Sequence, residues 1–232
     1  MQRIPTERGD IPVLYEDNHL LVVVKPPNLP TQADRSGDSD LLSILKGYIG
    51  HKYQKPGNVY MGLVHRLDRP VGGVMVFART SKAASRLSAA FSGHEQDRRY
   101  LAVVQGCPAE DSAVLRDLLF WDRTKNKSFV VKRQRGGVKD AELEYALLEA
   151  LPELSLLRVI LHTGRTHQIR VQFSSRAMPL VGDVKYGSRY RDCALALWSH
   201  ALGFRHPATG KAMSFSAMPE LVFPWNGFEY FK

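Results

Sequence analysis

Two short apolar runs constrain this chain more than any other feature. Leu20-Leu21-Val22-Val23-Val24 and Val74-Met75-Val76-Phe77-Ala78 are rich in β-branched residues and far shorter than a membrane span, which needs roughly 18 to 20 apolar residues. Each is also short for a core helix, so both read as buried strands. The first run ends in Lys25-Pro26-Pro27, where the chain must turn.

Helical spacing appears between these runs. Leu41 to Ile49 predicts one helix. A second follows Val74–Ala78, with Ser81 as its N-cap and Ala84, Leu87, Ala90 and Phe91 on its buried face. Tyr100 to Val104, Glu144 to Leu148 and Leu154 to Leu161 read as strands, the last two paired around a turn at Pro152. His167 to Phe173 follows a Gly-Arg-Thr turn, and a helix is the preferred reading. Residues 28–40 and 50–59 should be loop. Met213 to Phe231 has strand character broken by Pro219 and Pro224. Residues 1–10 are expected to be flexible and residues 11–232 to form a single catalytic domain. The fold class is therefore α/β of the α+β type, with a mixed, mostly antiparallel sheet and flanking helices.

Composition narrows the partner. The chain has 32 Lys and Arg against 23 Asp and Glu, a net charge of +9, and this balance favours an anionic partner, nucleic acid first. Seven of these cations, Arg123, Lys125, Lys127, Lys132, Arg133, Arg135 and Lys139, occur in one stretch with no acid among them. Such a segment can follow a phosphate backbone without reading bases; the competing reading is a solvated surface hairpin. The two cysteines, Cys107 and Cys193, give no disulfide framework or paired-cysteine zinc site. A cytoplasmic location and a monomer are expected. His65, His162 and His167 make a metal site thinkable, but no carboxylate or cysteine set accompanies them, and neither metal nor cofactor is expected.

Chemistry concentrates in two segments. In Val64-His65-Arg66-Leu67-Asp68-Arg69-Pro70-Val71-Gly72-Gly73 one acid lies among cations, and a proline and paired glycines lead into the second apolar run. That pattern implies a tight backbone path, often where a ligand approaches. On these residues alone a structural ion-pair partner is the leading reading of Asp68. The second segment, His162-Thr163-Gly164-Arg165-Thr166-His167-Gln168-Ile169-Arg170-Val171, gathers donors suited to gripping phosphate or keeping a carboxylate ionised.

These segments resemble a known family. His65-Arg66-Leu67-Asp68 is similar to the catalytic motif of the RluA family of pseudouridine synthases. Arg99-Tyr100-Leu101-Ala102-Val103-Val104-Gln105-Gly106 resembles its tyrosine motif, and Gly164 to Val171 its later motif. Leu14-Tyr15-Glu16-Asp17 to Lys25-Pro26-Pro27, Gly182-Asp183-Val184-Lys185-Tyr186-Gly187, and His200-Ala201-Leu202 before His206-Pro207 resemble the family as well, in family order from about residue 12 to 220. Two departures stand out. Val71-Gly72-Gly73 replaces the usual Thr-Ser-Gly, removing two hydroxyls beside the catalytic segment. Only about a dozen residues precede the first motif, so the small RNA-binding domain many members carry is not expected.

The resemblance implies the pseudouridine-synthase fold and isomerisation of uridine in ribosomal or transfer RNA without a cofactor. Asp68 would be the catalytic carboxylate, acting as nucleophile or base. Tyr100 would stack on the base or move a proton, and Arg170 would keep Asp68 ionised. Arg66 would enter the space left by the flipped nucleotide, Arg165 would hold phosphate or structure, and Ile169 would pack on the uracil face or in the core. His65 would order its loop. Lys132, Arg133 and Arg135 would follow the RNA backbone. The rivals are a catalytically silent RNA-binding module on the same fold, and a sugar-directed hydrolase that pairs Asp68 with a second acid, for which Asp183 is the motif-like candidate.

Overall fold

The computed structural model describes residues 2–6, 9–93 and 96–232. The strands in chain order are β1 (Arg3–Ile4), β2 (Ile11–Glu16), β3 (Leu20–Lys25), β4 (Gly62–Leu63), β5 (Gly72–Ala78) and β6 (Asp97–Gln105). They continue as β7 (Ser112–Asp122), β8 (Lys127–Val131), β9 (Val138–Ala150), β10 (Leu154–Leu161), β11 (Leu197–Arg205) and β12 (Ala212–Ser216). The helices are α1 (Leu41–Lys52), α2 (Ser81–Ser92) and α3 (Gln168–Ser174). The class is mixed α and β with antiparallel pairing, as the sequence predicts. No helix among the described residues is long and apolar enough to cross a membrane.

The chain divides into two compact units: residues 1–97 with 199–218, and residues 98–198 with 219–232. In the first, the strand order is β1-β2-β3-β5-β11, with β12 on β11 and β4 also on β5. Both predicted apolar runs lie here as β3 and β5, paired from Leu20–Ala78 to Lys25–Gly73 and buried along their length. Their side chains Leu20, Val22, Val74, Val76 and Ala78 join Ala83 and Leu87 of α2 and Leu202 and Phe204 of β11 in one core cluster. Arg3–Ile4 pairs with Pro12 and Ile11. Part of the segment expected to be flexible is thus strand, because buried Ile4 gives it an apolar anchor.

Helix α1 buries Leu41, Leu45 and Ile49, one stripe at fourfold spacing, and runs three residues past its predicted end into the region read as loop. The cap of α2 is Thr80 rather than Ser81. Thr80 has the extended backbone a cap requires and its hydroxyl accepts from the Ala83 amide at 3.1 Å, whereas Ser81 is already helical. The buried face is Ala83 and Leu87; Ala84 and Phe91 flank it, and Ala90 is half-buried.

In the second unit the order is β6-β10-β9-β7-β8, all antiparallel. The strand predicted from Glu144 to Leu148 is the middle of a 13-residue β9, and it pairs with β10 as expected. Leu119, Ala141, Val171 and Tyr186 form a core cluster that fixes α3 against this sheet. The 123–139 stretch spans the β7–β8 turn, β8, the β8–β9 turn and the start of β9. Met213 to Phe231 keeps strand only in β12 and ends in two single 3₁₀ turns, at Trp225–Gly227 and Glu229–Phe231.

Candidate active site

In the first unit Asp68 is half-buried in the extended loop between β4 and β5. The backbone around it is tied at three consecutive carbonyls. Leu67 accepts from the Thr31 hydroxyl at 2.8 Å, Asp68 from the Val71 amide at 3.0 Å, and Arg69 from Lys25 Nζ at 3.0 Å. Further along the same path, Gly73 has φ +118°, and a Cβ there would collide with the backbone of Ser199. Gly73 thus answers to the close approach of the Ser199 backbone. Val71, at the position of the family's usual hydroxyl residue, is buried at 2% exposure.

His65 Nε2 accepts from the Val76 amide at 3.1 Å, and its ring stacks on Phe91 at 4.7 Å. The bond ties the loop to β5, and it places the neutral ring's proton on Nδ1. Arg69 is committed to the 34–38 loop through Asp38, Asp34 and Ser36. Arg66 is exposed and makes no hydrogen bond or ion pair among the described residues, so its guanidinium is available to a ligand.

Lys25 is fully buried, and its Nζ donates to the carbonyls of Pro26, Leu29 and Arg69 at 3.0, 2.6 and 3.0 Å. These acceptors match the three N–H bonds of an ammonium. Burial nonetheless pushes it down to about 7; the charge of Asp68 opposes this and that of Arg69 adds to it. Between about 7 and the ordinary lysine value of 10.5 the unfolded chain then holds a proton that the folded one has released. Stability must rise with pH across that window, by at most about 1.4 kcal/mol per unit. In urea unfolding at pH 7 and 9, wild type should gain on Lys25→Met as pH rises. A difference independent of pH would show that Lys25 keeps its proton throughout.

In the second unit Tyr100 is buried at 8% exposure on β6, Ile169 is buried at 4% on α3, and Arg165 is half-buried. Gln168, to which the sequence motifs assign no role, holds the turn before α3. Its Oε1 accepts from the Thr163 hydroxyl at 2.7 Å and the Arg165 amide at 3.0 Å, and its Nε2 donates to the Glu142 carbonyl at 3.0 Å. Arg165 Nε donates to the Asp140 carbonyl at 2.8 Å. His167 sits at φ +55°, and its Nδ1 lies 2.9 Å from the Tyr186 hydroxyl.

Arg170 makes a two-point pair with Asp183: Nε donates to Oδ2 at 2.7 Å and Nη2 to Oδ1 at 2.8 Å, both side chains being almost fully buried. Its guanidinium also lies 5.1 Å from the centre of the Tyr186 ring, whose phenol burial pushes up to about 12. The sequence marks Asp183 and Tyr186 as part of a motif, but connects neither with Arg170. Asp183, the second acid of the hydrolase reading, is thus engaged by Arg170 at both oxygens.

Lys132, Arg133 and Arg135 are all exposed beside the β8–β9 turn. Arg135 covers the Phe120 ring at 4.9 Å, while Lys132 and Arg133 make no hydrogen bond or ion pair among the described residues. Lys127 is spent differently, donating to the Lys185 carbonyl at 2.7 Å and lying over Tyr186. Among the described residues, no three His, Cys, Asp or Glu converge as a metal site would require.

A family profile described as RNA pseudouridylate synthase matches residues 19–175, well over half of the chain and inclusive of both chemical segments. This chain belongs to the RluA family of RNA pseudouridine synthases. The synthase is 37% identical over 229 residues to Ribosomal large subunit pseudouridine synthase D of Zymomonas mobilis, covering 92% of this chain and 72% of that protein. It is 33% identical over 223 residues to the uncharacterized RNA pseudouridine synthase YlyB of Bacillus subtilis, covering 92% and 71%. Human RNA Pseudouridylate Synthase Domain Containing 4 shares the fold, with a TM-score of 0.76 at 22% identity over 90% of the synthase and 89% of that chain. The protein is an isomerase acting on RNA.

Proposed function

We propose that this synthase converts uridines of ribosomal RNA, with Asp68, Tyr100 and Arg170 as its catalytic residues. The RNA assignment is carried by one observation: several relatives, including those of Zymomonas mobilis and Pseudomonas aeruginosa, bear the name ribosomal large subunit pseudouridine synthase. Transfer RNA is the competing substrate. In the reaction the bond from uracil N1 to the ribose breaks, the base turns, and a bond forms from C5. One proton leaves C5 and one arrives at N1, so RNA mass is unchanged. The target base must leave the stack to be reached. Exposed Arg66 is the residue positioned in sequence to fill the gap, its planar guanidinium suited to stacking. Asp68 serves as a carboxylate, whether it attacks or takes the proton.

The test is pseudouridine mapping in total RNA from cells with and without the gene. Sites lost from large-subunit ribosomal RNA support the proposal, and losses confined to transfer RNA reject it. Purified protein that binds ribosomal RNA but converts nothing would instead be the silent module.

RNA binding has its own check. Replacing Lys132, Arg133 and Arg135 together by Gln should weaken RNA affinity and flatten its salt dependence. The log–log slope should fall by roughly 0.7 to 0.9 for each phosphate that is no longer neutralised. The same slope in the triple variant would show that this turn is solvated surface only.

A further inference from the structure

We infer that Arg98 and Arg165 form a binding site for a phosphodiester of the RNA strand, on the face of β6 that carries Tyr100. The inference rests on the reading of this chain as an RNA-modifying enzyme and adds a residue, Arg98, that the family motifs did not single out.

Arg98 and Tyr100 are two apart on β6 and therefore project from the same face. The guanidinium of Arg98 lies directly against Gly164: a Cβ on that glycine would stand 2.6 Å from Nη1. The absent side chain is what lets Arg98 reach the turn that carries Arg165. The protein itself gives Arg98 little there. Nη2 has one long bond of 3.4 Å to the Leu161 carbonyl, and Nε is buried without a partner. Native chains seldom leave a buried donor unmet, so this arginine is not seated by the protein's own acceptors. Arg165 spends its side-chain Nε on the Asp140 carbonyl and leaves both Nη groups without a hydrogen bond among the described residues.

The charge balance points the same way. Burial and the neighbouring charge of Arg165 hold Arg98 below its ordinary value, and only Tyr100 opposes them. Among the described residues, no carboxylate pairs with either guanidinium. Two half-buried cations side by side repel each other unless an anion joins them, and a phosphate presents several oxygens to both forks at once. With Tyr100 on the same face assigned to the base, the phosphate held here would belong to the target nucleotide or its neighbour.

The site can be tested without RNA or turnover, so its failure is distinct from failure of the enzymatic reading. Arginine Nε–Hε resonances would be followed by NMR as inorganic phosphate is added to wild type, Arg98→Gln and Arg98→Lys. The expected result is a saturable shift of the Arg98 and Arg165 signals in wild type. In Arg98→Gln the affinity reported by Arg165 should fall about tenfold, with an intermediate loss in Arg98→Lys. With ribosomal RNA, Arg98→Gln should lower the salt slope by roughly 0.7 to 0.9, while Arg98→Lys, which keeps the charge, holds it. A phosphate response that never saturates, or an Arg165 response unchanged in folded Arg98→Gln, overturns the site. An unchanged salt slope in Arg98→Gln overturns its use for RNA.

Discussion

Asp68→Asn should leave every target uridine unconverted, a loss on the order of 10⁴-fold or more in single-turnover rate. The amide nearly matches the carboxylate in size but is neither nucleophilic nor basic. The fold should survive, because this segment is held through its backbone: the carbonyls of Leu67, Asp68 and Arg69 keep Thr31, the Val71 amide and Lys25 as donors. Circular dichroism and RNA affinity should therefore match wild type. One secondary effect follows from removing the charge. Asp68 helps hold the Lys25 ammonium up against its burial, so in Asp68→Asn that group should titrate below about 7. Conversion near the wild-type rate in the purified variant would sink the assignment of Asp68.

The second large effect concerns stability. Arg170→Leu removes one side of an almost fully buried two-point pair and leaves the Asp183 carboxylate, at 2% exposure, without its two donors. Breaking such a pair from one side destabilises by about 3 to 5 kcal/mol. The double variant Arg170→Leu with Asp183→Leu removes both charges and should recover much of that loss. Urea unfolding of the two single variants and the double decides the matter. Single variants within about 1 kcal/mol of wild type would show that the pair stabilises little. A low activity in Arg170→Leu must accordingly be corrected for its folded fraction before it is read as catalysis.

How much of this is legible in the sequence depends on where apolar residues cluster. The two five-residue runs become β3 and β5 because neither contains a polar break, whereas α3 is legible only from the Gly-Arg-Thr turn that opens it, its apolar positions 169, 171 and 173 having the alternation of a strand. Strands β7 and β9 largely escape such a reading. Their residues Arg116, Glu142 and Glu144 put charge on a partly exposed face, and long antiparallel pairing holds them in place more than an apolar run does. In the site, Asp68 and Arg170 stand out through motif residues. The Asp183 partner is hidden because it lies 13 positions away, where no local periodicity connects the two. Arg98 is hidden for a different reason: its significance lies in what Gly164 lacks, which becomes visible only once the strand and the turn are brought together.

The first unit is assembled from two stretches of chain, 1–97 and 199–218, and the intervening 98–198 belongs to the second. During synthesis, β3, the two-residue β4 and β5 emerge early, but β11, which pairs with β5 as well, does not exist until residues 197–205 are made. At ribosomal rates of about 5 to 20 residues per second, that edge of β5 waits roughly 6 to 25 s for its partner. Val74-Met75-Val76, beyond the reach of β4, is apolar and β-prone, the kind of edge that recruits other chains. Nascent chains stalled between about residue 100 and residue 200 should therefore be the form of this protein most dependent on chaperones, and the finished protein the least.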